Sequence, residues 1–198
     1  DQPSVTYFLN QYLAQQKLGL ADVKVIELEP EAMTNNFIAG RFNVIVNYDP
    51  QALRAISEGN GVVAATSASW DGVIPEGFVA ETENYKAMNK DDLANILKGW
   101  VQAVSWSKDP ANWDTYKTII NDKTFPNDAP FSDQEIKDML ASVRIHEGAT
   151  ALDQNKSGGG LQQYLTNLKV FLQQNNQLKV DYDPSTLADT SVYQSVLQ

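Results

Sequence analysis

The chain has 198 residues, of which 42% are hydrophobic and 20% are charged, and its formal net charge is −10 at pH 7. This length and composition indicate a folded globular protein with a sizeable core. The acidity, with lysine and arginine scattered along the chain, argues against nucleic acid as a partner, because binding DNA or RNA requires a basic patch. The absence of cysteine excludes disulfides, thiolate metal sites and a cysteine nucleophile.

The first 70 residues alternate between helix-like and strand-like patterns. Apolar residues with helical spacing begin after Ser4, a favoured N-cap residue, and Gly19 is placed to end that helix. A second short helix ends at Gly40, and a third begins near Pro50 and ends at Gly59. Strand-like runs separate these helices at residues 22–28, 42–47 and 62–66. Helices alternating with nearly continuous apolar strands predict an α/β fold with a parallel sheet buried on both faces.

After Trp70 the pattern becomes mostly helical, which predicts a domain boundary near residue 70. A loop and a strand are expected first, and a strongly amphipathic helix then covers residues 90–108. Another helix opens at Asp109–Pro110, and the pair Ser132 and Glu135 has the spacing of a capping box. A short strand at 143–148 precedes a glycine-rich turn and a long helix that begins near Leu161.

Polar side chains gather where the strand at 42–47 ends. Asn47, Tyr48 and Asp49 lie at that end, and Ser4 and Thr6 lie at a helix start, where free N–H groups and the helix dipole favour an oxygen-rich group. In an open parallel sheet, ligands bind at the carboxyl ends of the strands. The two turns are therefore expected to converge on one crevice. The alternative is structural: Ser4 and Asp49 only cap helices, and Asn47 and Tyr48 only end a strand.

The segment "PSVTYFLNQYLAQQKLGLADVKVIELEPEAMTNNFIAGRFNVIVNYDPQ" resembles the middle of the periplasmic solute-binding proteins of the nitrate, sulfonate, taurine and thiamine-precursor group. Members of that group have a small-residue turn that opens a helix, then G-L, a D-V-x-V strand, an F-x-A-G-x-x-D segment and an aromatic–acid–Pro triplet. The matching positions are Ser4 and Thr6, Gly19–Leu20, Asp22–Val23, Phe37–Asn43 and Asn47–Pro50. Asn43 departs from the Asp that is usual in the group. Weaker similarity extends over nearly the whole chain.

The resemblance implies a type II periplasmic-binding-protein-like fold with two lobes, each with a parallel-rich sheet flanked by helices. Residues 1–70 would form most of lobe two, without its first strand, and residues 71–198 the crossover and the helix-rich C-terminal part of lobe one. The first half of lobe one would lie upstream of residue 1. We therefore expect the chain to be a fragment, or a second copy or a swapped element to cover the missing part.

The resemblance also implies which residues contact the solute. Ser4 and Thr6 would offer backbone N–H and hydroxyl groups to its polar head, and Asn47, Tyr48 and Asp49 would line the cleft from the next loop. The carboxylate of Asp49 would pair with a ligand amine or orient a neighbouring donor.

Four further residues complete the predicted solute site. Trp70 and Asp71 lie near the expected hinge, where an aromatic wall suits a flat or aliphatic ligand; the alternative for Trp70 is packing between domains. Asp153 and Asn155 precede the long helix, and the corresponding loop of the family often faces the cleft.

The sequence favours binding without catalysis. His146–Glu147 has the beginning of a zinc motif, but the chain holds only one histidine, so neither a zinc site nor a metal site of another kind is expected. A triad of His146 with Ser142 lacks the nucleophile elbow. The run "NKSGGG" has its glycines after the Lys–Ser pair, the reverse of a phosphate-binding loop. No catalytic residue and no cofactor are predicted.

The expected function is the extracytoplasmic solute-binding component of an ABC-type importer, with a membrane permease as its partner. The ligand is a small polar solute that the sequence does not identify. No apolar run approaches the roughly 20 residues that span a bilayer, and none forms a signal peptide. Two alternatives remain: the ligand-sensing domain of a membrane receptor kinase or cyclase, and an enzyme like the pyrimidine synthases of the same fold, which use a histidine-rich iron site.

Overall fold

A computed structural model describes residues 3–70 and 73–198 of the chain. Regular structure in these ranges is helical. Single-turn 3₁₀ helices lie at Leu20–Asp22, Ser67–Ser69 and Pro110–Asn112, and a π-helical turn covers Ile120–Thr124. The α-helices in chain order are α1 (Pro3–Gln15), α2 (Pro30–Ile38), α3 (Gln51–Gly59), α4 (Thr82–Ala87), α5 (Lys90–Ser107), α6 (Trp113–Ile119), α7 (Asp133–Ser142), α8 (Gly148–Asn155), α9 (Gly160–Gln174) and α10 (Ser191–Leu197).

The predicted α/β fold is wrong, because none of the residues in 3–70 and 73–198 belongs to a β-strand. The runs at 22–28, 42–47, 62–66 and 143–148 are largely irregular segments, and where the backbone angles are known, as at Val23 with φ −128° and ψ 153°, they are extended. The two parallel-rich sheets expected from the resemblance are therefore not formed by the described residues. The predicted short strand at 143–148 instead leads directly into α8, a helix that the sequence pattern did not indicate.

The strand prediction failed because β-propensity reports the local backbone, whereas a strand also requires a hydrogen-bonded neighbour. Alternating and β-branched residues favour extended dihedral angles whether or not a second segment lies alongside. Their burial is also not what a sheet covered on both faces would give, since Val44 is 76% exposed and Val62 is 91% exposed. Parallel pairing depends on contacts between segments far apart in sequence, which no local pattern encodes.

The chain forms two compact units. The first unit extends to Pro75 and also includes Asp138–Val143, and the second comprises Glu76–Lys137 and Arg144–Gln198. The assignment of residues 1–70 and 71–198 to lobe two and lobe one of a solute-binding protein stays a prediction.

In the first unit, α2 packs against α3. Pro30 opens α2, where its missing N–H is not needed, and Gly40 follows the helix with a φ of +70° that favours glycine. Gly61 follows α3 and approaches it closely, since a Cβ there would lie 2.8 Å from the carbonyl oxygen of Ala55. The core of this unit is small, and its buried members are Tyr7, Leu13, Thr34, Ala55 and Val73.

In the second unit, α10 packs against α5 and α8, and α8 packs against α9. The helix predicted at 90–108 is confirmed as α5, and the long helix predicted near Leu161 is confirmed as α9. The capping box is confirmed as well: the Ser132 N–H donates to Glu135 Oε2 at 2.8 Å, and the Glu135 N–H donates to Ser132 Oγ at 3.3 Å. Buried apolar residues of this unit are Leu97, Val104, Ile136, Ala151 and Phe171.

Candidate functional site

Hydroxyl groups from two of the predicted loops lie side by side in the first unit. Ser4 Oγ is 3.4 Å from the hydroxyl oxygen of Tyr48, a weak contact in which either oxygen can donate. The sequence predicts Ser4 as the N-cap of the first helix. This prediction is wrong, because α1 begins at Pro3 and Ser4 lies within its first turn. Ser4 and Thr6 are half-buried, and Tyr48 is 39% exposed. The contact brings together positions 44 residues apart in sequence.

Asn47 fixes the loop that carries Tyr48. Its Nδ2 group donates to the carbonyl oxygen of Pro30 and to Thr34 Oγ1, both at 2.9 Å, and its Oδ1 accepts from the Tyr48 N–H at 2.9 Å. Thr34 is fully buried and donates in turn to the carbonyl oxygen of Gln51 at 3.3 Å. Both amide protons of Asn47 are thus used to tie the loop to α2, and direct contact of this residue with a solute stays a prediction.

Asp49 is half-buried and accepts a hydrogen bond from a hydroxyl that no sequence motif pointed to. Ser142 Oγ, near the end of α7, lies 3.0 Å from Asp49 Oδ2 and 2.7 Å from the carbonyl oxygen of Met139. In the part of the chain that the structure describes, no lysine or arginine forms an ion pair with Asp49. The hydrogen-bond partner of this carboxylate is therefore a neutral hydroxyl and not a cation.

Trp70 packs within the first unit. Its ring meets the ring of Phe8 edge-on, with centroids 5.4 Å apart and an interplanar angle of 77°. Ser4 and Phe8 are one turn apart and therefore lie on the same side of α1, the side that contacts Tyr48 and Trp70. The neighbouring Tyr7 is buried, and its burial raises the pKa of the phenol. Asp71, also predicted to contact the solute, lies outside the described residues.

Asp153 and Asn155 belong to the second unit. Asp153 is exposed and forms an ion pair with Lys156 three residues later. The Asn155 side chain donates to the carbonyl oxygen of Ala151 at 2.8 Å. The backbone carbonyl oxygen of Asn155 accepts from the side chains of Thr190 and Gln194. Both side chains have a partner within this unit, and their predicted contact with a solute is untested.

Residues 4–121 match the model of the NMT1-like family. This match covers more than half of the chain. The protein belongs to the NMT1-like family. Members of this family are periplasmic solute-binding-like proteins, so binding of a small-molecule ligand is the general function, and members are usually extracytoplasmic. Comparison with curated proteins and with solved structures gave no match.

The matched region of the NMT1-like family contains the hydroxyl, carboxylate and aromatic groups of the first unit, apart from Ser142. For the ranges described here, no helix is long and apolar enough to cross a membrane. Among the same residues, no group of three or more His, Cys, Asp and Glu side chains is arranged to hold a metal ion. His146 is half-buried, and its neighbour Glu147 forms an ion pair with Lys108.

Two residues that shape this region escaped the sequence analysis as site residues. In the sequence, nothing distinguishes Thr34, in the middle of α2, from an ordinary helical threonine. Among the described residues, however, it is the only polar one that is fully buried. For Ser142 the sequence suggests only a nucleophile beside His146, and the contact of Ser142 with Asp49 spans 93 residues. Neither role leaves a local signal, because each depends on packing between separate segments.

Proposed function

We propose that this NMT1-like chain is the extracytoplasmic solute-binding component of an ABC-type importer. In this proposal it captures a small polar solute in an interlobe cleft, without chemical change, and presents it to a membrane permease. The family match over residues 4–121 is the observation that carries the proposal. The hydroxyls of Ser4 and Tyr48 and the carboxylate of Asp49 supply the mixture of donors and acceptors that a polar ligand requires.

The charge of Asp49 narrows the class of ligand that we propose. A half-buried carboxylate without a cationic partner favours a ligand cation and repels an anion. A bare nitrate or sulfonate would therefore gain little near Asp49, whereas a compound with an amine would form a charge-assisted hydrogen bond. Among the classes that the resemblance suggests, taurine-like and aminopyrimidine compounds carry such a group, with the Ser4 and Tyr48 hydroxyls available to their polar ends.

Ligand screening with a matched pair of variants tests this proposal. The purified protein is screened by thermal shift against taurine, an aminopyrimidine, nitrate and an alkyl sulfonate, and the affinity of any ligand that raises the melting temperature is then measured by calorimetry. Asp49→Ala is expected to weaken binding of an amine-containing ligand by about tenfold, the value of one charge-assisted hydrogen bond. Asp128 is exposed and its side chain makes no hydrogen bond to a described residue, so Asp128→Ala is the control and should bind as the parent does.

An unchanged affinity in Asp49→Ala would remove this residue from the site, and the absence of any binding solute would contradict the proposed function. The non-catalytic character is tested in the same samples, because the ligand should be recovered unchanged after long incubation. The transport role predicts that genes for a permease and an ATPase lie beside the gene for this chain. A downstream membrane-spanning segment joined to a kinase or cyclase would instead assign it to a receptor.

We also propose that a second copy of the chain, packed directly or through a swapped element, covers apolar side chains of the first unit. Val44, Val62 and Val63 are 76%, 91% and 60% exposed. Large exposed apolar surface is unusual in monomers and is typical of interfaces. The oligomeric state of the protein in solution tests this proposal.

A further inference from the structure

The second unit contains a groove of about 430 Å³ between the end of α8, the start of α9 and α10. Its volume lies within the range of small-ligand sites. Leu161 and Leu165, one turn apart on α9, form an apolar strip together with Pro184. Hydroxyl and amide side chains also line the groove, among them Ser157, Gln162, Ser191 and Gln194.

Hydrogen bonds between distant segments hold the walls of the groove in place. The carbonyl oxygen of Asn155 accepts from Thr190 Oγ1 at 2.6 Å and from Gln194 Nε2 at 2.7 Å, which joins the end of α8 to the start of α10. The Tyr85 hydroxyl donates to Asp189 Oδ2 at 2.6 Å and fixes the segment before α10 to α4. The groove is therefore formed before any ligand arrives, which lowers the entropic cost of binding.

The charged groups of the groove are already engaged. Lys156 forms an ion pair with Asp153. The carboxylate of Asp189 accepts from the Ser191 hydroxyl at 2.6 Å, from the Ser191 N–H at 3.0 Å and from Tyr85, and these hydrogen bonds lower its pKa to about 2. Among the side chains that line the groove, one is cationic and one is anionic, and each has its own partner. A charged ligand would lose hydration without gaining a free counter-charge.

Several neutral groups retain hydrogen-bonding capacity. Gln162 Oε1 accepts from the Gly158 N–H at 2.7 Å, which leaves the Gln162 amide protons without a partner among the described residues. Gln194 uses its Nε2 group twice, on Asn155 and Thr190, and its Oε1 is not engaged within the same ranges. The exposed Ser157 hydroxyl makes no hydrogen bond to a described residue. The groove therefore offers both neutral donors and neutral acceptors beside an apolar strip.

We propose that this groove is a binding site for a small uncharged polyhydroxyl compound, a monosaccharide or polyol. Such a molecule has hydroxyl edges that both donate and accept, which suits Gln162, Gln194 and Ser157. Its C–H face is apolar and suits the strip formed by Leu161 and Leu165. This site is formed within the second unit and does not depend on the solute proposed for Ser4, Tyr48 and Asp49, so either proposal can fail without the other.

A chemical-shift titration of the ¹⁵N-labelled full chain tests the site. Glucose and mannitol are the neutral probes, and methanesulfonate and choline are their charged counterparts. We expect glucose or mannitol to shift backbone amides at residues 157–162 and 190–195 in a saturable way, with weaker or no response to the charged compounds. The absence of a saturable shift at tens of millimolar, or equal shifts with a charged compound, would overturn the proposal.

Two variants and one control separate binding at the groove from nonspecific contact. Gln162→Ala and Ser157→Ala each remove a neutral hydrogen-bonding group and should lower the affinity for glucose or mannitol by about fivefold. Ser157 is exposed and makes no hydrogen bond to a described residue, so its variant keeps the test valid if Gln162→Ala disturbs the turn at Gly158. Gln173→Ala changes an exposed glutamine near the other end of α9 and should leave the affinity unchanged. Unchanged affinity in both groove variants would contradict the assignment.

Discussion

Thr34 is fully buried, and its hydroxyl joins α2 to the loop that carries Tyr48. It accepts from Asn47 and donates to the carbonyl oxygen of Gln51. Thr34→Val keeps the shape of the side chain but leaves one amide proton of Asn47 without its partner and removes the extra hydrogen bond to the carbonyl oxygen of Gln51. We expect the free energy of unfolding to fall by about 1–3 kcal/mol, the cost of unsatisfied buried polar groups. Urea denaturation followed by circular dichroism measures this change.

Thr166→Val is the matched control for that measurement. Thr166 lies on the exposed side of α9 and its hydroxyl bonds only to the carbonyl oxygen of Gln162 one turn earlier. The same chemical change should therefore alter stability by less than about 0.5 kcal/mol. Equal losses in the two variants would mean that helix propensity, and not the buried contact of Thr34, determines the effect.

Asp189 predicts a pH dependence of stability. Hydrogen bonds from Ser191 and Tyr85 lower its pKa from the ordinary 3.8 to about 2. A carboxylate with a lowered pKa in the folded state stabilises the protein fully above pH 3.8, and this contribution is lost as the pH falls from about 4 to 2. Because Asp189 is largely exposed, solvent screening reduces its expected contribution to about 1 kcal/mol.

Asp189→Asn should therefore lower the free energy of unfolding at pH 7, with a difference from the parent that shrinks as the pH falls below 4. Urea denaturation of both proteins between pH 7 and pH 3 follows the difference. Asp128→Asn removes a charge whose side chain makes no hydrogen bond within the described ranges, and it should show a much smaller difference at each pH. A difference for Asp189→Asn that stays constant from pH 7 to pH 3 would contradict the role of its ionisation.

Single residues also show where sequence reasoning reached its limit. The run at residues 47–49 is locally distinctive, since an amide, a phenol and a carboxylate follow an apolar segment. Its expected convergence with Ser4 rested on a parallel sheet that the described residues do not form, although Ser4 and Tyr48 do lie in contact. The partner of Asp49 could not be obtained in that way, because Ser142 lies in another part of the chain and its spacing to Met139 is that of any helical serine. Contacts of this kind are fixed by packing alone.

At the scale of elements, α7 offers a direct test of helix capping. Ser132 and Glu135 exchange hydrogen bonds at the start of this helix, and those donated by Ser132 lower the pKa of Glu135. Ser132→Ala removes the cap and leaves the Glu135 N–H unsatisfied. We expect a loss of about 1 kcal/mol in the free energy of unfolding, together with a rise in the pKa of Glu135 that NMR titration can follow.

Ser57→Ala is the control for the capping variant. Ser57 lies within α3, and its exposed hydroxyl bonds back to the carbonyl oxygen of Leu53 one turn earlier, so it stabilises no helix end. Its replacement should change stability by less than about 0.5 kcal/mol, or raise it slightly. A loss in Ser132→Ala no larger than that in Ser57→Ala would show that the capping box contributes little.

The sequence predicted helices better than strands. Helices depend on contacts between residues close in sequence, whereas sheets depend on contacts between distant segments. The start of α7 and the whole of α5 follow from signals within one or two turns, namely caps and a 3.6-residue apolar repeat. The run at 42–47 has an equally strong local pattern, but strand formation also needs a partner segment, and the described residues provide none. The local sequence therefore predicted the extended backbone at Val23 correctly, but the described residues form no sheet.

At the scale of the whole molecule, exposed valines distinguish this chain from an ordinary monomer. Val62 and Val63 are 91% and 60% exposed, and Val44 is 76% exposed, and all three lie in segments of the first unit without regular secondary structure. Single exposed apolar residues are common, but several in one unit favour association because each methylene that becomes buried gains about 0.8 kcal/mol. The formal charge of −10 opposes association at low ionic strength, so added salt should promote it.

If a second copy of the chain covers these valines, the oligomeric state should depend on protein concentration and on salt. Light scattering coupled to size exclusion should report a mass that rises with protein concentration and with salt above the 21.9 kDa of one chain. Val62→Lys places a charge on the proposed surface and should return the protein to one chain per particle. Val180→Lys makes the same change at a valine of the second unit that is 78% exposed, and should associate as the parent does. A parent that remains at one chain under all conditions, or two variants that behave alike, would show that these valines of the first unit do not form an interface between copies.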